Sequence, residues 1–244
     1  MTERKRLVPV SDAEPALWLA SALEKPWGRG GNANCAAAVI PRGFAAYARL
    51  FHPAYLAGEG RDITWAETAA RAGTRPYARM QWHAISRAGD AGGQLRGLVS
   101  PDMGRMPAWM LEALVGLLER HTRTPARCFF AVWDGWGLPE LATLRGRTAH
   151  FRLWDRGYCL MKGDIRAALE RLSPLSPQHA SIWWPEDRAW CVATEVDMMW
   201  TYVGGSEGCI GEILADPRLE AWRASPDDRA DANGDDVNAP RCPC

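Results

Sequence analysis

The sequence predicts a single α+β domain, a mixed or mainly antiparallel sheet with helices packed on it. Three observations lead there. Apolar runs of strand length, such as "RCFFAVW" and "SIWW", are bounded by Gly, Pro and Asp turns. Two longer segments, "AWMLEALVGLLERH" and "SEGCIGEILADP", place apolar residues at helical spacing. Strand patterns gather in the second half of the chain and are interleaved with capped helices. With 244 residues, 47% of them apolar, the chain has ample material for a core.

The elements follow in order. Ser11 or Asp12 can cap a first helix over "AEPALWLASALE", with Leu17, Trp18 and Leu23 on one side. "KPWGRGGNAN" reads as a glycine-rich loop. "CAAAVI" and "GFAAYARLF" read as strands about the Pro41-Arg42-Gly43 turn. Thr64 caps "WAETAARAG", which Gly73 stops. Pro107 suits a first helical turn, and Trp109, Leu114, Leu117 and Leu118 mark the inward side of the helix behind it. "RCFFAVW" has the continuous apolarity of a strand covered on both faces. "TAHFRLW" and "GYCLMKG" flank an Asp155-Arg156-Gly157 turn, and Asp164 caps "IRAALERL". "SIWW" and "AWCVATEVD" form a hairpin about "PEDR", where Pro185 favours the turn. Along the second strand, Trp190, Val192, Thr194 and Val196 face the core. Cys191, Ala193, Glu195 and Asp197 face the other way, a side that begins small and ends acidic. "WTYVGG" then leads into a helix with Ile210, Ile213 and Leu214 inward, stopped by Asp216-Pro217. The domain spans residues 1–222, and residues 223–244 form a polar tail without apolar periodicity, expected to be disordered.

Composition excludes more than it selects. Charge balances at 29 basic against 29 acidic residues, so no global field gathers nucleic acid or anionic lipid. No apolar run approaches a membrane span, and the basic N-terminus lacks the apolar stretch of a secretion signal. The seven cysteines form no C-x-x-C and sit singly in apolar strings or in the tail. These features point to a reduced, cytoplasmic protein with no structural metal and no cofactor.

Several residues are candidates for chemistry. Gly204-Gly205-Ser206-Glu207-Gly208 fits G-x-S-x-G between a strand and a helix, where a nucleophile elbow belongs. No histidine follows Ser206 to serve as its base, so the residue reads as a helix N-cap. Glu195 and Asp197 share a strand face and can act as paired carboxylates, or simply end a strand in water. Arg49 and His52 close an apolar strand, and Asp134 follows another; strand ends are common functional positions. Asp187 and Arg188 occupy the hairpin turn.

The segments "PRGFAAYARLFHPAY", "LERHTRTPARCFFAVWDGWG", "GYCLMKGDI" and "SIWWPEDRAWCVATEVDMMWTYVGGS" resemble a family of uncharacterised actinobacterial proteins over residues 36–222. That resemblance implies a shared fold and transfers no activity. The alternating strands, the tryptophan-glycine segment and the following helix are also similar to SUKH-type immunity proteins, which implies binding to a partner protein. Two functions follow. The first is a non-catalytic binding module in which some of Trp27, Trp136, Trp183 and Trp200 form an exposed patch, since tryptophan and arginine concentrate at interface centres. The second is a small-molecule enzyme or sensor in which Arg49, His52, Asp134 and either Asp187 or Arg188 share one pocket.

Overall fold

The computed structural model describes residues 7–26, 34–87, 95–173 and 178–238. Its strands are β1 (Val8–Pro9), β2 (Ala46–Phe51), β3 (Ala54–Leu56), β4 (Arg61–Ile63), β5 (Leu98–Val99), β6 (Cys128–Trp133), β7 (His150–Leu153), β8 (Arg156–Gly163), β9 (Ile182–Pro185), β10 (Cys191–Ala193), β11 (Trp200–Gly205) and β12 (Ala221–Ala224). Its α-helices are α1 (Leu17–Ala22), α2 (Trp65–Ala72), α3 (Trp82–Ser86), α4 (Ala108–Leu118), α5 (Pro139–Arg145) and α6 (Glu207–Ala215). The main sheet runs β1-β8-β6-β9-β10-β11-β2-β12, with β7 also paired to β8, and every pairing is antiparallel. A smaller antiparallel sheet, β4-β3-β5, follows β2. The fold is α+β, as the strand and helix patterns predict.

The sheet is covered on both sides, which is why its central strands read as continuous apolar runs. On β6, Cys128, Phe130 and Val132 join a core under α4 and α6, while Phe129, Ala131 and Trp133 join a second core under α1, α2 and α3. Every residue of β2 and of β11 is buried. The hairpin alternates as expected, with Trp190 and Val192 in the first core and Cys191 and Ala193 in the second. Its register pairs Val192 with Trp183 and with Val203.

Local signals account for most helix boundaries. The Thr64 hydroxyl accepts from Glu67 N at 3.0 Å, and Gly73 closes α2 at φ 68°, a conformation glycine adopts without strain. The Ser206 hydroxyl accepts from Cys209 N at 3.2 Å. This serine caps α6, and the strand-to-helix junction needs its glycines for packing. A Cβ on Gly204 would stand 2.5 Å from Phe44 Cδ2.

Five expectations are corrected. "CAAAVI" forms a 3-10 turn at Ala36–Ala38, not a strand, because alanine gains little on a pleated surface. In the first helix Leu17 is exposed, and Ala16, Leu19 and Leu23 face inward instead. A preceding 3-10 turn at Glu14–Ala16 rotates the inward side. Trp109 stands outside α4 and donates its indole N–H to Asp62 at 3.1 Å, whereas Met110, Leu111, Leu114 and Leu118 are buried. Asp164 precedes a 3-10 segment, Ile165–Leu169, without capping it through its side chain.

The fifth correction concerns the tail. Residues 223–238 fold back over the second core. Ala36 N donates to Asp228 O and Ala37 N to Pro226 O, each at 2.9 Å, and Ala230 N donates to Asn34 O at 2.7 Å. Asp235, only 2% exposed, accepts from Tyr77 Oη, Gln81 N, Val237 N and Asn238 N. Aspartate and asparagine side chains bind backbone groups locally, so the segment orders without apolar periodicity. Residues 239–244, with Cys242 and Cys244, lie outside the described residues. Among the described residues no helix is long and apolar enough to cross a membrane.

Candidate functional site

The segment that follows β10, with Glu195 and Asp197, borders a cavity of about 330 Å³. Its origin is the run of small side chains noted in the sequence. Ala193 on β10 and Ala38 and Cys35 in the 3-10 turn above leave space that larger residues would fill. Leu23, Val39, Leu153 and Ile182 contribute apolar lining to the cavity. Arg156, Glu195 and Asp197 form a polar end, and Asp155 and Asp231 add further carboxylates to the wall.

Arg156 organises the polar end. Its Nη2 lies 2.5 Å from Glu195 Oε1 and 2.6 Å from Asp197 Oδ2. The contact to Asp197 is an aligned hydrogen bond, whereas that to Glu195 is ionic without good alignment. The guanidinium also rests over the Trp133 ring, 5.2 Å from its centroid. Burial draws Arg156 down, but the two carboxylates outweigh it and hold the cation charged. The carboxylates differ in setting, since the Glu195 side chain is 18% exposed and that of Asp197 77%. Burial therefore pushes the Glu195 carboxyl up, against the pull of Arg156.

Three further groups complete the wall. Burial raises the Tyr158 hydroxyl far above its ordinary range and raises the half-buried Cys35 thiol, so both are neutral at pH 7. Trp154 takes φ 58°, a region a bulky side chain rarely adopts, in the β7–β8 turn, and its indole N–H makes no hydrogen bond. Among the described residues no three His, Cys, Asp or Glu side chains are grouped to hold a metal ion.

The residues first singled out do not converge. Arg49 is 2% exposed on β2, its Nη1 donating to Ala78 O at 3.1 Å and its plane over the Trp200 ring at 3.8 Å. Burial lowers it to about 10, so it stays charged at neutral pH. His52 is fully buried. Its Nδ1–H donates to Asp102 O at 2.9 Å, which leaves Nε2 to accept the Thr201 hydroxyl at 3.0 Å, itself 2.8 Å from Thr194 Oγ1. Burial depresses the imidazole to about 4, so it is a neutral strut between loop and sheet.

Asp134 pairs with His150 at 2.8 Å over Gly157, where a Cβ would stand 2.6 Å from the carboxylate. Asp187 accepts from Thr122 Oγ1 and Arg123 N, each at 2.8 Å. Although burial opposes it, those bonds hold its carboxyl below the ordinary range. Arg188 adopts φ 51° and lies 5.2 Å from the Trp18 ring centroid. Among the described residues the expected tryptophans form no exposed patch. Trp183 and Trp200 are buried at 2% and 6%, Trp136 is half-buried against Trp133, and Trp27 lies outside the described residues.

Sequence reasoning weighed Glu195 and Asp197 but read Arg156 only as a turn residue. The usable signal was the alternation Cys191, Ala193, Glu195, Asp197, small then acidic along β10 and the segment after it, which marks room beneath a cover. No protein-family model, curated protein or solved structure matches the chain, so geometry alone carries the functional reading.

Proposed function

We propose that this protein binds a small molecule in the cavity between β10, the β7–β8 turn and the Cys35–Val39 segment. The observation that carries the reading is the cavity itself. Its volume, about 330 Å³, falls in the range of ligand sites, and its lining combines apolar side chains with a few convergent polar groups. The small-molecule role is retained from the sequence, with its site moved from Arg49, His52 and Asp134 to Arg156, Glu195 and Asp197. The chemistry is recognition rather than covalent catalysis, since Cys35 and Tyr158 are held neutral and Ser206 is engaged as a cap.

A fragment screen by thermal shift tests this, with Ala38→Trp as the blocked control. A set of fragments is expected to stabilise the native chain and to lose its effect on the blocked variant. Hits indifferent to Ala38→Trp, or no saturable hit at all, would remove the reading.

A partner-binding role rests on a different observation. Tyr55 and Val99 face each other across β3 and β5, and Trp109 is tied to neighbouring Asp62; all three apolar side chains are over 40% exposed. Photo-crosslinking from position 55 in the native host tests it. A yield no higher than from exposed Arg75 argues against a partner there.

A further inference from the structure

The polar end of the cavity specifies the charge of what it holds, an inference that rests on the ligand-binding reading above. We propose that the ligand carries an ammonium or amidinium group on an apolar body, with the cation seated against Glu195 beside its Arg156 pair and the body against Leu23, Val39 and Ile182. Charge matching is the first ground. The wall presents Glu195, Asp197 and Asp231, while Arg156 is the sole cationic side chain among the described lining residues. Arg229 neutralises Asp231 from behind through contacts of 2.6 and 2.9 Å. One Arg156 nitrogen is shared by both Glu195 and Asp197, so the wall retains surplus negative charge after internal pairing. Cys35 and Tyr158, the other titratable groups facing the cavity, add none at neutral pH.

Commitment of Arg156 is the second ground. An anionic ligand that reached the other guanidinium nitrogens would lie beside the Glu195 and Asp197 carboxylates that already share Nη2, and their repulsion would oppose it. A neutral ligand would leave the half-enclosed Glu195 no better matched than before. A cation completes an alternating row of charges, carboxylate to guanidinium to carboxylate to ligand. The third ground is Trp154, held in the lining by a left-handed backbone that the turn would adopt more easily with glycine. An indole at the wall offers an aromatic face, which attracts a cation and is indifferent to an alcohol.

The test compares three probes with one body: phenethylamine, 2-phenylethanol and 3-phenylpropionate, titrated calorimetrically into the full chain at pH 7. The amine is expected to bind about tenfold more tightly than the alcohol, and the acid more weakly than either. Glu195→Gln should abolish most of the amine's advantage, and Asp197→Asn should reduce it less, because water screens the outer carboxylate. Should Glu195→Gln fail to fold, Asp197→Asn at its exposed site still reports the direction. Equal or tighter binding of the alcohol or the acid, blocked by Ala38→Trp, overturns the charge assignment and leaves the cavity reading intact. If no probe binds but the fragment screen yields ligands blocked by Ala38→Trp, anionic or neutral hits overturn the assignment and cationic hits uphold it. If neither probes nor fragments bind, both readings fall.

Discussion

The Arg49 guanidinium lies 3.8 Å from the centroid of the Trp200 ring, a diagonal pair across neighbouring strands whose register sets Arg49 opposite Tyr202. Phe51 lies 4.6 Å from the same cation, and Nε and Nη2 have no hydrogen-bond partner. Ring faces thus hold a charge that one carbonyl only partly satisfies. Replacing such a group by an apolar residue of similar length is often neutral or stabilising, whereas truncation leaves a void. Arg49→Met is therefore expected within about 1.5 kcal/mol of the native chain, and Arg49→Ala to cost about 3–5 kcal/mol, by urea denaturation. Equal losses in the two variants would show that the charge itself is required.

His52 makes stability depend on acid. Its folded value of about 4 lies below the unfolded value near 6.5, so the unfolded chain binds the extra proton first. The contribution is complete above pH 6.5 and is lost progressively toward pH 4, amounting to about 3 kcal/mol for so buried a group. His52→Gln should flatten that part of the profile. Identical pH profiles for the two proteins would contradict the neutral-strut assignment.

Glu220 carries the opposite sign. Its carboxylate accepts from Trp65 N at 2.6 Å and Ala66 N at 2.7 Å at the start of α2, yet burial raises it to about 7. The folded chain therefore takes up this proton first as pH falls, so the stabilisation is present below about pH 4.3 and lost as pH rises to 7. The two residues oppose each other over the same range, and a nearly flat native profile is expected. Glu220→Gln should tilt it, with the variant gaining relative to the native chain as pH rises.

The returning tail is fastened by Asp235. Asp235→Ala strips an acceptor from Gln81 N and Tyr77 Oη in a buried setting and is expected to cost about 2–4 kcal/mol. Hydrogen exchange at Gln81, Val237 and Asn238 should rise with it. Unchanged exchange would mean the segment is held from elsewhere.

The glycines around Ser206 divide by position. Gly204→Ala meets Phe44 and should cost about 1–3 kcal/mol. Gly208→Ala, inside α6 with nothing within 4 Å, should stabilise by about 1 kcal/mol. The reverse order in thermal melts would refute the packing account of the motif.

How much of this was legible beforehand depends on what each residue answers to. Thr64, Gly73 and Ser206 cap their helices through local bonds, and β6, β9 and β11 carry apolar runs, so those elements were readable. The cavity was not. It arises where the Cys35–Val39 segment, the β7–β8 turn and the returning tail meet, and no local pattern encodes that meeting. Arg156 resembled any turn arginine until Glu195 and Asp197 were placed beside it. Conversely, Arg49 and His52 looked functional because they are polar among apolar neighbours. Aromatic ring faces hold the Arg49 cation, and Asp102 O and the Thr201 hydroxyl occupy both ring nitrogens of His52.

Strand β2 lies between β11 and β12, so both of its neighbours come from the far end of the polypeptide. On the ribosome this segment waits for its partners until residues 200–224 have followed it. Through that interval the nascent chain exposes two unpaired edges of "AYARLF", and late pairing of this kind slows folding and invites association between chains. Arg49 is the one charge within it, and a charge in an apolar strand discourages premature pairing. The cation that the finished core holds with strain on its hydrogen bonding thus guards the unfinished one.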